Sequence, residues 1–300
     1  MSIETIYQGH GDKVFALAWS PVPGEYGEHF IASGSRDKTV HIWNAASGAC
    51  AYIYRGHAHC LLCVAWSPDG KYIASGDTSG VVRVWHAFSG EELIGYSGHT
   101  RFARSVAWSP DGKYIASGGD YGDSTIHVWE AATGETIYIH GQQYRNFAVR
   151  WSPDGLRIAS GNFDGTAQVW EALNGRNALI YTKHSGAVYS VTWSPDGRYV
   201  ASGGYDTTVK VWNAATLNTM NTFEGHTDPV KTLVWSPSGA NIASAGDDTT
   251  VQVWDSMIGD YVHTYRGHDA WVRSLDWSPD GQYVASASNN TVHVWRVYPI

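Results

Sequence analysis

The sequence predicts an all-β fold, a seven-bladed β-propeller made of four-stranded antiparallel blades. One motif recurs about every 42 residues, within the roughly 40–45 residues that a four-stranded propeller blade occupies. Its first half ends in Trp-Ser-Pro, at Trp19, Trp66, Trp108, Trp151, Trp193, Trp235 and Trp277. Its second half ends in a hydrophobic residue followed by Trp, at Trp43, Trp85, Trp129, Trp170, Trp212, Trp254 and Trp295. Of the fifteen Trp residues, only Trp271 stands outside this pattern.

Each repeat is predicted to form four short strands. In residues 226–265, runs rich in apolar or β-branched residues extend over Val230 to Trp235, Asn241 to Ser244, Thr249 to Trp254 and Tyr261 to Tyr265. Turn-forming segments such as Ser236-Pro-Ser-Gly separate these runs, and none of them has helical periodicity. A sheet this small cannot bury both of its faces alone, so neighbouring blades must stack on it.

The two ends of the chain are predicted to complete one blade together. The last repeat stops after its third strand, at Trp295. The segment Ile3 to Tyr7 precedes the first Gly-His dipeptide, just as Tyr261 to Tyr265 precedes the last one. Pairing of this N-terminal strand with the last blade removes exposed sheet edges. We therefore expect residues 1–300 to form a single domain of seven repeats.

Composition and charge exclude several classes of function. The net charge of −8 gives no footprint for duplex nucleic acid or for an anionic membrane surface. No stretch approaches the roughly 18 apolar residues of a transmembrane span, and the first residues lack the pattern of a signal peptide. Three Cys residues form no disulfide framework, which fits a reducing compartment. The expectation is a cytoplasmic monomer without a cofactor.

The repeat motif resembles that of the WD40 family of β-propellers. A Gly-His dipeptide opens most repeats and a hydrophobic-Trp pair closes them, across all 300 residues. The recurring Trp-Ser-Pro-Asp-Gly-Lys-Tyr-Ile-Ala-Ser-Gly is most similar to the highly regular bacterial members, in which a kinase or another signalling domain often accompanies the propeller. Asp follows the closing Trp only at Asp255, which departs from the family pattern. The resemblance implies a non-catalytic scaffold that binds other proteins.

Most repeats also carry a His before the first strand, a Ser on the second strand and an Asp six residues before the closing Trp. The complete sets are His10, Ser33, Asp37 and Trp43; His99, Ser117, Asp123 and Trp129; His184, Ser202, Asp206 and Trp212; and His226, Ser244, Asp248 and Trp254. Ser, His and Asp together suggest a hydrolase triad, but one enzyme does not need four nucleophiles around a ring. The resemblance implies instead a hydrogen-bonded structural tetrad in each blade, ending at the indole N–H.

Three repeats depart from the tetrad pattern, and we predict that they are weaker. Ser79 stands where Asp is expected in blade 2, and Gln142 replaces the His of blade 4. Blade 7 offers Asn289 or Asn290 in place of Asp.

Cys60 and Cys63, beside His57 and His59, resemble a metal or redox cluster. Residues three apart on a strand point to opposite faces, so these two Cys residues cannot bind one metal ion together. The chain also has no second Cys pair. We predict no metal site and interpret Cys63 as a small core residue.

Function is expected where the repeats differ, because the shared positions already explain the scaffold. In the WD40 family, the loop after Gly-His and the turn between the second and third strands form one rim of the ring, the usual partner-binding surface. Asp12, Asp228 and Asp269 also lie in these loops, yet basic and aromatic residues dominate the corresponding positions. The predicted rim residues are Lys13, Phe15, Arg36, Leu62, Phe102, Arg104, Tyr121, Arg145, Phe147, Phe163, Tyr189, Tyr205, Lys231, Trp271 and Arg273.

Aromatic and Arg side chains are the usual hot spots of interfaces, so the rim predicts a protein or peptide partner with acidic and aromatic or apolar anchors. Three alternatives stay open. Several aromatics could simply line the central channel. A small-molecule or carbohydrate-sensing propeller would use Trp271, Phe102 and Tyr205 as platforms. An enzyme would need a unique cluster of titratable groups, whereas this chain repeats its own, so we predict no catalytic activity.

One irregularity lies on the opposite rim. Blade 1 replaces the short Ser-Pro-Asp-Gly turn by the longer segment from Ser20 to Glu28. A longer surface turn is energetically cheap, so this segment is either a neutral elongation or a second contact site.

Overall fold

The computed structural model describes residues 3–24, 27–120, 122–141 and 143–297. Within these residues all regular secondary structure is β-strand, arranged in seven four-stranded antiparallel sheets. The predicted fold is confirmed. Tyr121 and Gln142, which the sequence singled out, lie outside the described residues. The described residues include no helix long and apolar enough to cross a membrane.

Each sheet is one blade, and its first strand lies nearest the central axis. The innermost strands are β2 (Val14–Trp19), β6 (Leu61–Trp66), β10 (Ala103–Trp108), β14 (Asn146–Trp151), β18 (Val188–Trp193), β22 (Val230–Trp235) and β26 (Val272–Trp277). The second strands are β3 (Phe30–Ser35), β7 (Tyr72–Asp77), β11 (Tyr114–Gly119), β15 (Arg157–Asn162), β19 (Tyr199–Gly204), β23 (Asn241–Gly246) and β27 (Tyr283–Ser288).

The closing Trp residues lie on the third strands of the blades. These are β4 (Val40–Asn44), β8 (Val82–His86), β12 (Thr125–Glu130), β16 (Ala167–Glu171), β20 (Val209–Asn213), β24 (Val251–Asp255) and β28 (Thr291–Arg296). The outermost strands are β5 (Cys50–Tyr54), β9 (Glu92–Tyr96), β13 (Thr136–Gly141), β17 (Leu179–Tyr181), β21 (Thr219–Phe223), β25 (Tyr261–Tyr265) and, for blade 7, β1 (Ile3–Tyr7).

The N-terminal strand closes the ring, as predicted. β1 pairs antiparallel with β28, so the first and last strands of the structure belong to one sheet of order β1-β28-β27-β26. Near the axis, the Leu17 backbone N–H donates to Ser274 Oγ at 3.0 Å, and the Trp19 backbone N–H donates to Asp276 Oδ2 at 2.9 Å. These bonds join blade 7 to blade 1 and leave no gap in the ring.

Apolar side chains fill the spaces between adjacent blades. Val209 and Val211 of blade 5, for example, pack in one buried cluster with Trp235 and Trp254 of blade 6. The strands are apolar on both faces because each blade is covered on both sides.

An aromatic ring from the preceding blade packs against each closing Trp, a contact that was not among the sequence predictions. Tyr7 lies over Trp43 with 4.5 Å between ring centroids and 1° between ring planes. A signal was available, since six repeats carry an aromatic residue three positions before their His. The equivalent stacks are Tyr54 on Trp85, Tyr96 on Trp129, His140 on Trp170, Tyr181 on Trp212 and Tyr265 on Trp295. Phe223 packs against Trp254 with the two ring planes tilted by 46°.

Candidate binding rim

The structure brings the four complete His, Ser, Asp and Trp sets together inside their blades. In blade 5, His184 Nδ1 lies 2.9 Å from Asp206 Oδ2, and His184 Nε2 lies 2.8 Å from Ser202 Oγ. The Trp212 indole N–H donates to the same Ser202 Oγ at 3.1 Å. Equivalent contacts occur in blades 1, 3 and 6. Because every polar atom of this hydrogen-bonded network has a partner, the arrangement serves a structural role.

The tetrad also holds its carboxylate in the ionised form. Burial by itself raises the pKa of Asp206, but the hydrogen bond and charge of His184 outweigh it and bring the pKa well below its usual range. The Ser185 backbone N–H donates to Asp206 Oδ2 at 3.1 Å, and the Thr208 hydroxyl donates to Oδ1 at 2.9 Å. One carboxylate therefore ties together the rim loop, the turn after the second strand and the third strand.

The expectation that blade 2 lacks its acidic member is wrong. Asp77 takes that role from the end of β7, with Oδ2 at 2.7 Å from His57 Nδ1. Ser75 Oγ lies 2.8 Å from His57 Nε2 and accepts from the Trp85 indole N–H at 3.0 Å. A shift of two residues keeps a side chain on the same face of a strand, so Asp77 reaches the same His. Ser79 donates to the other oxygen of Asp77.

The tetrad network of blade 4 is incomplete among the described residues. The Trp170 indole N–H is buried and has no hydrogen-bond partner there. Asp164 is exposed and accepts instead from Thr166, through its backbone N–H and its hydroxyl. His140 stacks on Trp170 at 4.2 Å, in the position that Tyr occupies on the closing Trp of most other blades.

Blade 7 keeps three of the four tetrad members and lacks the carboxylate. His268 Nε2 lies 2.7 Å from Ser286 Oγ, which also accepts from the Trp295 indole N–H. The side-chain amide of Asn290 donates to the His10 carbonyl oxygen in blade 1, so it serves the ring closure. Without a carboxylate beside it, His268 is held neutral, because burial and then the nearby His293 lower its pKa to about 3.

Two buried clusters combine ligand types that a metal ion could use, in blade 1 (His10, Asp37 and His41) and in blade 3 (His99, Asp123 and His127). The geometry fits hydrogen bonding better than coordination. The rings of His99 and His127 are stacked at 4.3 Å, so their nitrogen lone pairs lie in nearly parallel planes and do not converge. All four of their nitrogens already lie 2.6 to 3.2 Å from a hydroxyl or carboxylate oxygen.

The Cys-rich segment of blade 2 is dispersed. Cys63 is buried, and its thiol donates to the Ala103 carbonyl oxygen at 3.4 Å. Cys60 is partly exposed, while His57 is engaged in the tetrad. Burial raises the pKa of Cys63 to about 12, so this thiol is not reactive at neutral pH.

Seven of the predicted rim residues encircle the mouth of the central channel. They occupy the same position on the seven innermost strands: Phe15, Leu62, Arg104, Phe147, Tyr189, Lys231 and Arg273. These residues therefore line the central channel, as one of the alternatives above proposed, and they do so at its rim end. The remaining described rim residues lie outside this ring, and Trp271, Phe163 and Tyr205 are among the most exposed, at 50%, 50% and 58%.

Aromatic rings and cations of the rim contact one another in two groups. In blades 7 and 1, the Arg273 guanidinium lies 5.1 Å from the Phe15 ring centroid and 5.3 Å from that of Trp271. In blades 4 to 6, the Phe147 and Tyr189 rings meet edge to face at 5.0 Å, and the Lys231 ammonium lies 3.9 Å above Tyr189. Such contacts fix the side chains before any partner binds.

Carboxylates offset part of the positive charge of the rim. Arg36 lies 3.7 Å from Asp12, Arg145 lies 3.8 Å from Asp120, and Lys231 lies 3.2 Å from Asp247. Asp120 is not among the predicted rim residues, and it is buried, so only the Arg145 side of that pair is exposed. The side chains of Arg36 and Asp12 are both exposed, so their pair contributes little stability.

A cavity of about 370 Å³ adjoins Trp271 on the rim and is lined by Lys13, Asp269 and Arg273 among others. On the opposite face, Gly27 and Glu28 line a cavity of about 280 Å³ at the junction with blade 7; residues 25 and 26 of the long turn of blade 1 lie outside the described residues. The Trp19 indole N–H and His29 Nδ1 line this cavity as buried atoms without hydrogen-bond partners among the described residues.

Comparison with known proteins accords with the repeat structure. The chain matches the WD40 family, described as "WD domain, G-beta repeat", over residues 1–44, 48–86, 90–130, 141–171, 175–213, 217–255 and 259–296. It is 41% identical over 64 residues to ribosome assembly protein 4 of Chaetomium thermophilum, covering 21% of this chain and 12% of that protein. It is 38% identical over 68 residues to mouse coronin-7, covering 23% of this chain and 7% of that protein. It is 33% identical over 63 residues to the human peroxisomal targeting signal 2 receptor, covering 21% of this chain and 19% of that protein.

These relatives are eukaryotic, and this chain spans less than a fifth of the length of each. The predicted likeness to bacterial members finds no support among them.

Proposed function

This chain belongs to the WD40 family, and on that premise we propose that it is a non-catalytic scaffold that binds a protein or peptide on its aromatic and basic rim. The observation that carries the proposal is the set of contacts that hold the aromatic and basic side chains of the rim in place. Four of the six predicted rim cations, Arg145, Lys231, Arg273 and Arg36, are held by rim aromatics or rim carboxylates. Prepositioned aromatic and basic groups on a rigid ring are what a binding hot spot requires.

The partner we propose is an extended segment with acidic and aromatic or apolar anchors. Acidic groups would exchange with Asp12 and Asp120 on Arg36 and Arg145. Apolar anchors would cover the exposed faces of Phe163, Tyr205 and Trp271. We further propose a cytoplasmic, monomeric protein that binds neither duplex nucleic acid nor membranes, and we place its role in signalling.

A small-molecule or carbohydrate-sensing role is the second candidate. It is favoured by the 370 Å³ cavity beside Trp271, which is large enough for a small ligand and has an aromatic wall. A glycan array separates the two candidates. Binding of a defined sugar that Trp271→Ala abolishes would support this second role.

Reversing the charges of Arg104 and Arg145 to Glu tests the proposal. For a protein retained by the unaltered chain, we expect the affinity to fall by at least about tenfold at low salt. The salt dependence should also become weaker, because fewer ionic contacts remain to be screened.

The matched control reverses Lys113 and Arg198, which are exposed on the opposite face. Affinity and salt dependence should then stay as they are in the unaltered chain. An unchanged affinity in the Arg104→Glu, Arg145→Glu variant would contradict the proposed binding surface.

A further inference from the structure

The channel mouth concentrates positive charge that its own carboxylates do not balance. Arg104, Lys231 and Arg273 occupy equivalent positions in blades 3, 6 and 7 and line the same opening, with Lys231 and Arg273 on neighbouring blades. Burial lowers the pKa of Arg273; the charge of Asp247 raises it, and the charge of Arg104 lowers it. For Lys231, burial and the charges of Arg273 and Arg104 lower the pKa, and Asp247 again opposes them. Three cations that line one cavity beside a single such carboxylate, in a protein whose net charge is −8, indicate a site suited to an anion.

The nearby carboxylates offset only part of this charge. Asp247 Oδ2 lies 3.2 Å from the Lys231 ammonium, and Asp247 Oδ1 is buried without a hydrogen-bond partner among the described residues. Deeper in the channel, Asp276 accepts the backbone N–H groups of Trp19 and Trp277, and burial raises its pKa to about 6. Among the residues that the structure describes, Arg104 and Arg273 form no ion pair.

Arg150 adds a fourth cation one layer below the mouth. It occupies the position before the first Trp of its repeat, where the other blades carry Ala18, Ala65, Ala107, Thr192, Val234 and Asp276. Its guanidinium lines both the mouth and the lower channel and remains accessible from the channel. The charge of Asp276 acts on it from blade 7, so these two residues place opposite charges in the same layer. The electrostatic gradient therefore favours an anion in the mouth, above Asp276.

The mouth has room for a small anionic group. The cavity there measures about 100 Å³, well above the ~10–15 Å³ that a single water molecule requires on the same measure. The face of the Arg273 guanidinium is covered by Phe15 and Trp271, which leaves the N–H donors in its plane to bind a ligand. Guanidinium groups bind carboxylate and phosphate oxygens through paired hydrogen bonds.

We propose that the channel mouth binds one anionic oxygen group, a carboxylate or a phosphate, between Arg104, Lys231 and Arg273. This inference rests on the proposed function, because the mouth is part of the same rim and the group would anchor a rim-bound partner at the axis of the ring. The group comes either from an acidic side chain of that partner or from a phosphate.

The direct test uses the full chain without a partner. The Arg Nε–H signals of the ¹⁵N-labelled protein are followed by NMR during titration with inorganic phosphate, and separately with Nα-acetylglutamate amide, at constant ionic strength. We expect saturable shifts of the Arg104 and Arg273 signals with at least one of the two probes. Saturable shifts with phosphate alone would indicate that the bound group is a phosphate. Saturable shifts with the glutamate analogue alone would indicate that it is a carboxylate. The absence of saturation with both probes at millimolar concentrations would overturn the proposal.

Variants make the test specific. Arg104→Gln and Arg273→Gln should each weaken the probe affinity by at least about tenfold, while Arg198→Gln on the opposite face should not change it. Equal affinity in all three variants would show non-specific attraction and overturn the site. Because no partner is used, the result is independent of whether the rim captures a protein. Probe binding without capture would leave the anion site standing and remove the proposed scaffold function.

Discussion

Replacing Tyr7 with Ala is expected to lower the free energy of unfolding by about 3–5 kcal/mol, as for other large buried aromatics. Tyr7 is 5% exposed, stacks on Trp43 and forms a 2.6 Å hydrogen bond between its hydroxyl and His41 Nδ1. It also lies at the end of β1, the strand that closes the ring. The loss therefore weakens both the packing between blades 7 and 1 and the closure of the propeller.

Denaturant unfolding measures this effect, and Tyr7→Phe is the control. Phe keeps the stack but leaves His41 Nδ1 buried without its partner, so we expect a loss of about 1–3 kcal/mol. A Tyr7→Ala variant within about 1 kcal/mol of the unaltered protein would contradict the role given to this strand.

Replacing Asp206 or Asp248 with Ala is expected to lower the free energy of unfolding by about 1–3 kcal/mol, because each change leaves a buried His without its carboxylate. Asp77→Ala should cause a similar loss, since Asp77 holds His57 in the same way. Ser79→Ala should change stability by less than about 0.5 kcal/mol, because Ser79 is exposed and bonds only the outer oxygen of Asp77.

Asp77 ends β7 and Ser79 lies two residues later in the following turn, so the two residues form a matched pair for this measurement. Equal losses for Asp77→Ala and Ser79→Ala in denaturant melts would argue against the tetrad. The same melts should rank Asp206→Ala with Asp77→Ala.

The fold was predictable because its evidence is periodic. Each repeat needs its neighbours to bury both faces, so the Trp pattern and the turn residues recur wherever a blade recurs. The ring closure was predictable for a similar reason, since Ile3–Tyr7 matches the fourth strand of the preceding repeat.

Side-chain networks were harder to predict, because they depend on which atoms meet. The fixed spacing from the closing Trp identified Ser79 as the acidic position of blade 2, whereas Asp77 reaches His57 from the strand itself. The Tyr7 stack on Trp43 joins two blades, and the recurrence of an aromatic residue at this position does not by itself show which ring it meets. Likewise, the pairing of Arg145 with Asp120 crosses from blade 4 to blade 3. A sequence pattern within one repeat does not contain such contacts.

The central claim is that the rim is the binding surface. Affinity capture from the lysate of the source organism tests it most directly, comparing the unaltered chain with a Phe102→Ala, Arg145→Ala, Trp271→Ala variant. A matched variant, Lys113→Ala, Leu156→Ala, Met257→Ala, changes exposed residues on the opposite face. All three proteins must first melt alike. We predict a protein that the unaltered chain and the matched variant retain and that the rim variant loses. Retention of the same proteins by all three would contradict the account.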